Sequence, residues 1–101
     1  MIDIDKLTSV GVDQAAADSF SVTDRVQHLP TVERRLLAVA STFLSACLGL
    51  GIDPRRLLEV SDRYIHDADR RLRPEYRGQS AYFANEGDTP RRADQRFAEW
   101  S

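Results

Sequence analysis

Residues 36–50 read LLAVASTFLSACLGL, fifteen positions without a charge in a chain of 101 residues of which 30% are charged. A helix that is apolar or small around its whole circumference must be covered on all sides, and a chain this short has few other elements to cover it with. Val32, Leu36, Val39, Phe43, Cys47 and Leu50 follow 4-3-4-4-3 spacing, and Leu37, Ala40, Leu44 and Leu48 follow 3-4-4 beside them. Both stripes are expected to meet the rest of the chain. The remaining face, Ala38, Thr42, Ser45 and Gly49, carries only small side chains, which let two helix axes approach closely. A symmetric contact of that face with a second copy is therefore expected, making the protein a homodimer.

Punctuation residues bound the helices on either side. Thr31 caps the first long helix and Gly49 and Gly51 close it, as side-chain acceptors and glycine do at helix ends. Asp53-Pro54 supplies an N-cap followed by proline at the first helical position, and the second helix runs to Leu72 before Arg73-Pro74 stops it. The short connection predicts an antiparallel or sharply angled hairpin of residues 31–50 and 54–72. A third helix starts at Pro74 and runs to about Asn85, with Gly78 inside it and Gly87 beyond its end. Thr89-Pro90 opens a last one with Ala93, Phe97 and Trp100 on one face. Along the second helix Leu57, Leu58, Ser61, Ile65, Ala68 and Leu72 form the apolar stripe, and Glu59–Arg63, Asp67–Arg71 and Asp69–Arg73 are spaced for i,i+4 ion pairs. In residues 1–29, Ile4, Leu7 and Val10 fit helical spacing, Ala15-Ala16-Ala17 supports another turn, and Ser21 to Asp24 has the form of a capping box. Short helical turns or a loosely ordered, docked arm both satisfy that stretch. The expectation is an all-α fold: one domain, 1–101, a small helical bundle built on the hairpin with two shorter C-terminal helices.

Composition narrows the class. The net charge of −2 argues against a surface built throughout for phosphate backbones, and a single cysteine, Cys47, excludes an internal disulfide. Residues 1–7, MIDIDKL, do not resemble the basic start of a secretory signal. The uncharged run is shorter than the eighteen to twenty residues, roughly, that a bilayer requires. A cytoplasmic protein with no membrane partner is expected. Asp62, His66 and Asp69 fall at i, i+4 and i+7 but sit among arginines that repel a cation, so neither a metal nor another cofactor is expected. Cys47 lies in an apolar stripe, where a thiol is inert. No G-x-S-x-G and no phosphate-binding glycine loop occurs. The residues give no catalytic constellation, and a non-enzymatic protein is expected.

Arginine carries the remaining signal, thirteen of the fourteen basic residues. Arg34-Arg35, Arg55-Arg56 and Arg91-Arg92 all fall in first helical turns, where the macrodipole disfavours cations. A bound anion or an acidic partner surface would resolve the conflict; simple solvation is the alternative. Five of the eight aromatics, Tyr76, Tyr82, Phe83, Phe97 and Trp100, follow residue 73, interleaved with Arg73, Arg77, Arg91, Arg92 and Arg96. Tyr, Trp and Arg dominate interface hot spots, while aromatics can equally fold back as the lid of a core. The candidate partner-binding set is Arg55, Arg56, Tyr76, Arg77, Tyr82, Arg91, Arg92, Arg96 and Trp100.

The stretch from Gly51 to Glu86, GIDPRRLLEVSDRYIHDADRRLRPEYRGQSAYFANE, resembles short helical reading frames of unassigned role in bacteriophages and prophages of GC-rich bacteria. The resemblance implies a small phage accessory protein, a class whose members bind and inhibit or redirect a host protein; it transfers no functional residue. Two functions are thus expected in turn: a protein-binding module, of the kind a phage uses to inhibit or modulate a host protein, and, as the alternative, a nucleic-acid or nucleotide binder whose arginine pairs face phosphates. Against the second stand Glu59, Asp62, Asp67 and Asp69, spread along the helix that would have to approach the phosphates.

Overall fold

The computed structural model describes residues 3–84 and 90–100. These form six helices and no strand: α1 (Ile4–Leu7), α2 (Val12–Val26), α3 (Val32–Leu50), α4 (Pro54–Arg70), α5 (Glu75–Ala84) and α6 (Pro90–Trp100). The fold is all-α. The end of the third predicted helix at Asn85 and Gly87, the cap at Thr89 and the side chains of Arg91 and Ala93 lie outside the described residues.

Local chemistry sets the long helices as the sequence predicts. Thr31 Oγ1 accepts from Arg34 N–H at 3.2 Å to open α3, and Gly51 closes it at φ 68°, with Ile52 N–H donating to Cys47 O. That left-handed turn suits glycine, which has no Cβ to clash. Asp53 Oδ1 accepts from Arg55 N–H at 2.9 Å, and Pro54 follows it into α4. The chain turns by 119° between α3 and α4, so the hairpin is an open one. The place beside α4 is taken by α2, which packs against both α4 and α5, while α5 and α6 pack on each other.

The N-terminal third is more regular than its sequence suggests. Instead of short turns, α2 is one helix of fifteen residues, and Ser21 lies in its interior, its hydroxyl donating to Ala17 O rather than capping a new start. The face it turns inward is Val12, Ala15, Ala16, Ser19, Thr23 and Val26, while Phe20 and Val22 are exposed. Small inward side chains bring the α2 axis close to its neighbours. Ser19 Oγ reaches Gln79 of α5 at 3.0 Å, and Tyr64 Oη of α4 donates to the carbonyls of Leu7 and Val10, fixing α1.

Two expectations for α4 are corrected. Its inward positions include Leu57, Val60, Tyr64 and Ala68, whereas Leu58 and Leu72 are exposed; the helix ends at Arg70, and Leu72 stands beyond it. The arginines of α4 and of the turn that follows do not all pair along the helix. Asp67 takes Arg70 at i,i+3, and Arg71 and Arg73 reach Asp13 of α2. Arg73 also pairs with Glu75, and Asp69 is held by Arg77 of α5. These contacts join helices instead of stiffening one. Among the described residues the buried apolar set is small: Ala16, Cys47, Val60, Ala68 and Phe97.

Candidate functional site: the uncovered face of α3

The inward face of α3 holds Val32, Arg35, Ala38, Phe43 and Cys47. Its outward face is apolar. Leu36, Leu37, Leu44 and Leu48 are 60%, 69%, 49% and 83% exposed, with Ala40, Ser41 and Ser45 open between them. The stripe Leu37–Ala40–Leu44–Leu48, expected to lie against the rest of the chain, is thus left in solvent throughout, and of the other stripe only Val32, Phe43 and Cys47 turn inward while Leu36, Val39 and Leu50 are exposed. The reason is topological: the 119° turn carries α4 away from α3, and α2 is spent on α4 and α5. Ser41 Oγ donates to Leu37 O at 2.6 Å, so this hydroxyl is satisfied by its own helix and adds no unmet donor to the surface.

The area is large for a chain of this mass. The exposed surface is 7224 Å², against about 5,800 Å² for a folded monomer of 11.4 kDa. The excess of roughly 1,400 Å² belongs to the chain as a whole, polar and apolar surface together, and the outward face of α3 contributes one part of it.

The predicted self-association set lies on a neighbouring strip of α3. Ala38 is half-buried; Thr42, Ser45 and Gly49 are exposed, and a Cβ built on Gly49 would meet no atom within 4 Å. Only Ser45 borders the leucine stripe.

The predicted partner-binding residues do not share one surface. Tyr76, Arg96 and Trp100 come together around a cleft of about 610 Å³ between α4, α5 and α6, floored by Ile65, Phe83 and Phe97. Trp100 stacks on His66 of α4, with ring centroids 4.1 Å apart. Arg77 and Tyr82 are drawn into the fold: Arg77 holds both carboxylate oxygens of Asp69, at 2.6 and 3.2 Å, and lies over the Phe97 ring at 4.7 Å. The Tyr82 ring carries the Arg35 guanidinium at 5.4 Å. The hydrogen bond and charge of Arg77 hold the Asp69 carboxyl below its ordinary pKa, and burial raises the Tyr76 phenol above its own. Arg55 and Arg56 are exposed ten residues before Ile65 on α4, about 15 Å along the axis. Arg92 and Arg96 are exposed on α6.

The helix starts that carry Arg34-Arg35 and Arg55-Arg56 are already capped by side chains, and residues 85–89, which precede the helix of Arg91-Arg92, lie outside the described residues. The N–H of Arg34 is taken by Thr31 and that of Arg55 by Asp53, whose carboxylate already complements the positive end of the dipole. Arg35 Nε turns back to Leu29 O at 2.8 Å. No family model, curated protein or solved structure matches the chain. No single helix among the described residues is long and apolar enough to cross a membrane.

Proposed function

We propose that this protein is a small, non-enzymatic, cytoplasmic protein-binding module whose contact surface is the outward face of α3. The observation that carries this reading is the row of exposed leucines, Leu36, Leu37, Leu44 and Leu48, which together leave about two and a half leucine side chains in water. Covering a leucine gains about 2 kcal/mol, so a partner that seats on this row gains about 5 kcal/mol from these side chains alone. The resemblance of residues 51–86 to phage accessory proteins agrees with a role as an inhibitor or modulator of a host protein. Nucleic-acid binding is the weaker reading, because the caps at Thr31 and Asp53 occupy backbone donors that a phosphate would use and α4 carries Glu59, Asp62, Asp67 and Asp69.

The test is co-purification from cells expressing the chain, native against Leu44→Lys and Leu48→Lys, with Arg55→Ala/Arg56→Ala as the comparison. Loss of the bound proteins in the two lysine variants and retention in the arginine variant is expected. Retention in the lysine variants would refute the assignment to α3.

A further inference from the structure

We infer that the cleft between α4, α5 and α6 is a second site, separate from α3, and that it takes a small planar aromatic carboxylic acid. Along α5 the residues Tyr76, Ser80 and Ala84 recur at i, i+4 and i+8 and line the cleft, so one row of that helix faces it. Two of the three are small, and Ile65 of α4 with Phe97 and Trp100 of α6 form the other walls. Small side chains facing large ones leave open about 610 Å³, within the roughly 300–1,000 Å³ usual for small-molecule sites.

The rings of α6 are held in place by the chain itself. His66 stacks on Trp100 with ring centroids 4.1 Å apart, Arg77 lies over Phe97 at 4.7 Å, and the two rings meet edge to face at 5.6 Å. Each ring therefore has one face already taken, while Trp100 keeps 49% of its surface open. Walls fixed in this way lose little further freedom when a guest enters, and a flat aromatic guest is the shape that packs offset or edge-on against them.

Polar groups decide what the guest carries. Among the described residues, Arg96 is the only charged one that lines the cleft, and a guanidinium matches a carboxylate through two parallel hydrogen bonds. Ser80 adds a hydroxyl to the lining. Gln79 gives its Oε1 to Ser19, and its Nε2 is buried without a partner, a cost that an acceptor drawn against it relieves. The acids around the cleft are not in its lining. Asp69 holds Arg77, Glu75 pairs with Arg73 and Asp62 lies beside His66, while Glu99 is exposed on α6 three residues beyond Arg96. Glu75 and Asp18 bear on the Tyr76 phenol, so the carboxylate end of the guest points to Arg96, away from Tyr76.

The experiment titrates the purified full chain with cinnamate and with its neutral counterpart, cinnamamide, read by calorimetry and by the indole N–H resonance of Trp100, the one tryptophan of the chain. Cinnamate is expected to bind with a Kd of about one millimolar or tighter, to move the Trp100 resonance, and to bind about tenfold more tightly than cinnamamide. Arg96→Gln is expected to remove that preference and keep the binding of cinnamamide. Ser80→Trp, which fills the cleft, is expected to abolish binding of both, with helicity by circular dichroism retained. Leu44→Lys on α3 is expected to change neither, which keeps this site distinguishable from the protein-contact face. A Trp100 resonance unmoved by millimolar cinnamate overturns the site, as does undiminished binding in a folded Ser80→Trp variant. Equal binding of cinnamate and cinnamamide, or a preference that survives Arg96→Gln, overturns the assignment of a carboxylate to Arg96.

Discussion

Replacing Leu72 by glycine should make the protein more stable. Leu72 is the one non-glycine residue with positive φ among the described residues, at 60°. It follows the end of α4 in a turn where Arg73 N–H donates to Ala68 O and Leu72 N–H to Asp69 O, both at 3.0 Å. This is a Schellman ending, in which the left-handed position is ordinarily glycine. A left-handed conformation costs an L-residue roughly 1–2 kcal/mol, and the greater freedom of unfolded glycine returns roughly 0.5–1 kcal/mol of that. The side chain offsets nothing within the chain, since it is 89% exposed. The net gain is about 0.5–1 kcal/mol, or about 2–6 °C in Tm for a chain of this length. Urea denaturation at one fixed protein concentration measures it, as a shift of midpoint with unchanged slope. Leu72→Ala separates the two possible sources: alanine removes the exposed leucine but keeps the backbone cost, so its stability should stay within a few tenths of a kcal/mol of native. An alanine variant stabilised as much as the glycine variant would show that the gain did not come from φ. A destabilised glycine variant would show that Leu72 is seated against another chain.

The folded chain should lose stability at both ends of the pH scale. Arg77 depresses the Asp69 carboxyl, so that contribution is complete above the ordinary pKa of about 3.9 and declines as pH falls through the lowered value; Asp69→Asn should flatten the acid limb of a urea-midpoint profile. Burial raises the Tyr76 phenol, so its contribution is complete below the ordinary pKa of about 10 and fades as pH climbs through the raised value, and Tyr76→Phe should flatten the alkaline limb. Tyr64→Phe removes the donor that ties α4 to the carbonyls of Leu7 and Val10. A cost of about 1 kcal/mol is expected, with amide exchange accelerated over residues 4–10 and unchanged in α3; uniform acceleration would mean that α1 is not separately anchored.

Helix ends were legible in the sequence wherever one residue decides them. Thr31, Gly51 and Asp53-Pro54 act through their own side chains or backbone, and no tertiary contact is required for them to do so. The extent of α2 was not legible, because its inward face is Ala15, Ala16, Ser19 and Thr23 while Phe20 and Val22 point outward. A pattern read by large apolar residues places that helix on the wrong face. The stripe of α4 is right at Leu57, Ser61, Ile65 and Ala68 and wrong at Leu58 and Leu72, for a related reason: Val60 and Tyr64 take the interior positions and Leu72 leaves the helix. For α3 the pattern was ambiguous in principle. A helix apolar all round does not reveal which side its own chain covers, and that choice follows from the 119° turn and the position of α2, which are non-local.

The arginines show why residue type alone was a poor guide to the site. Cations in first turns and arginines among aromatics both suggested an outward-facing surface, yet Arg35 and Arg77 spend their planar guanidinium groups inside the protein. Each combines a hydrogen-bond acceptor with a ring, Leu29 O with Tyr82 and Asp69 with Phe97. A guanidinium can do both because its edge donates while its face stacks. With so few buried apolar side chains, α4, α5 and α6 are joined through Arg77, and the turn before α3 is joined to α5 through Arg35. The helices that hold most of the polar and aromatic residues are thereby committed to one another. α3, apolar and held mainly through one face, is the element left with apolar surface in solvent, and under the function proposed here its aliphatic side chains are the contact residues.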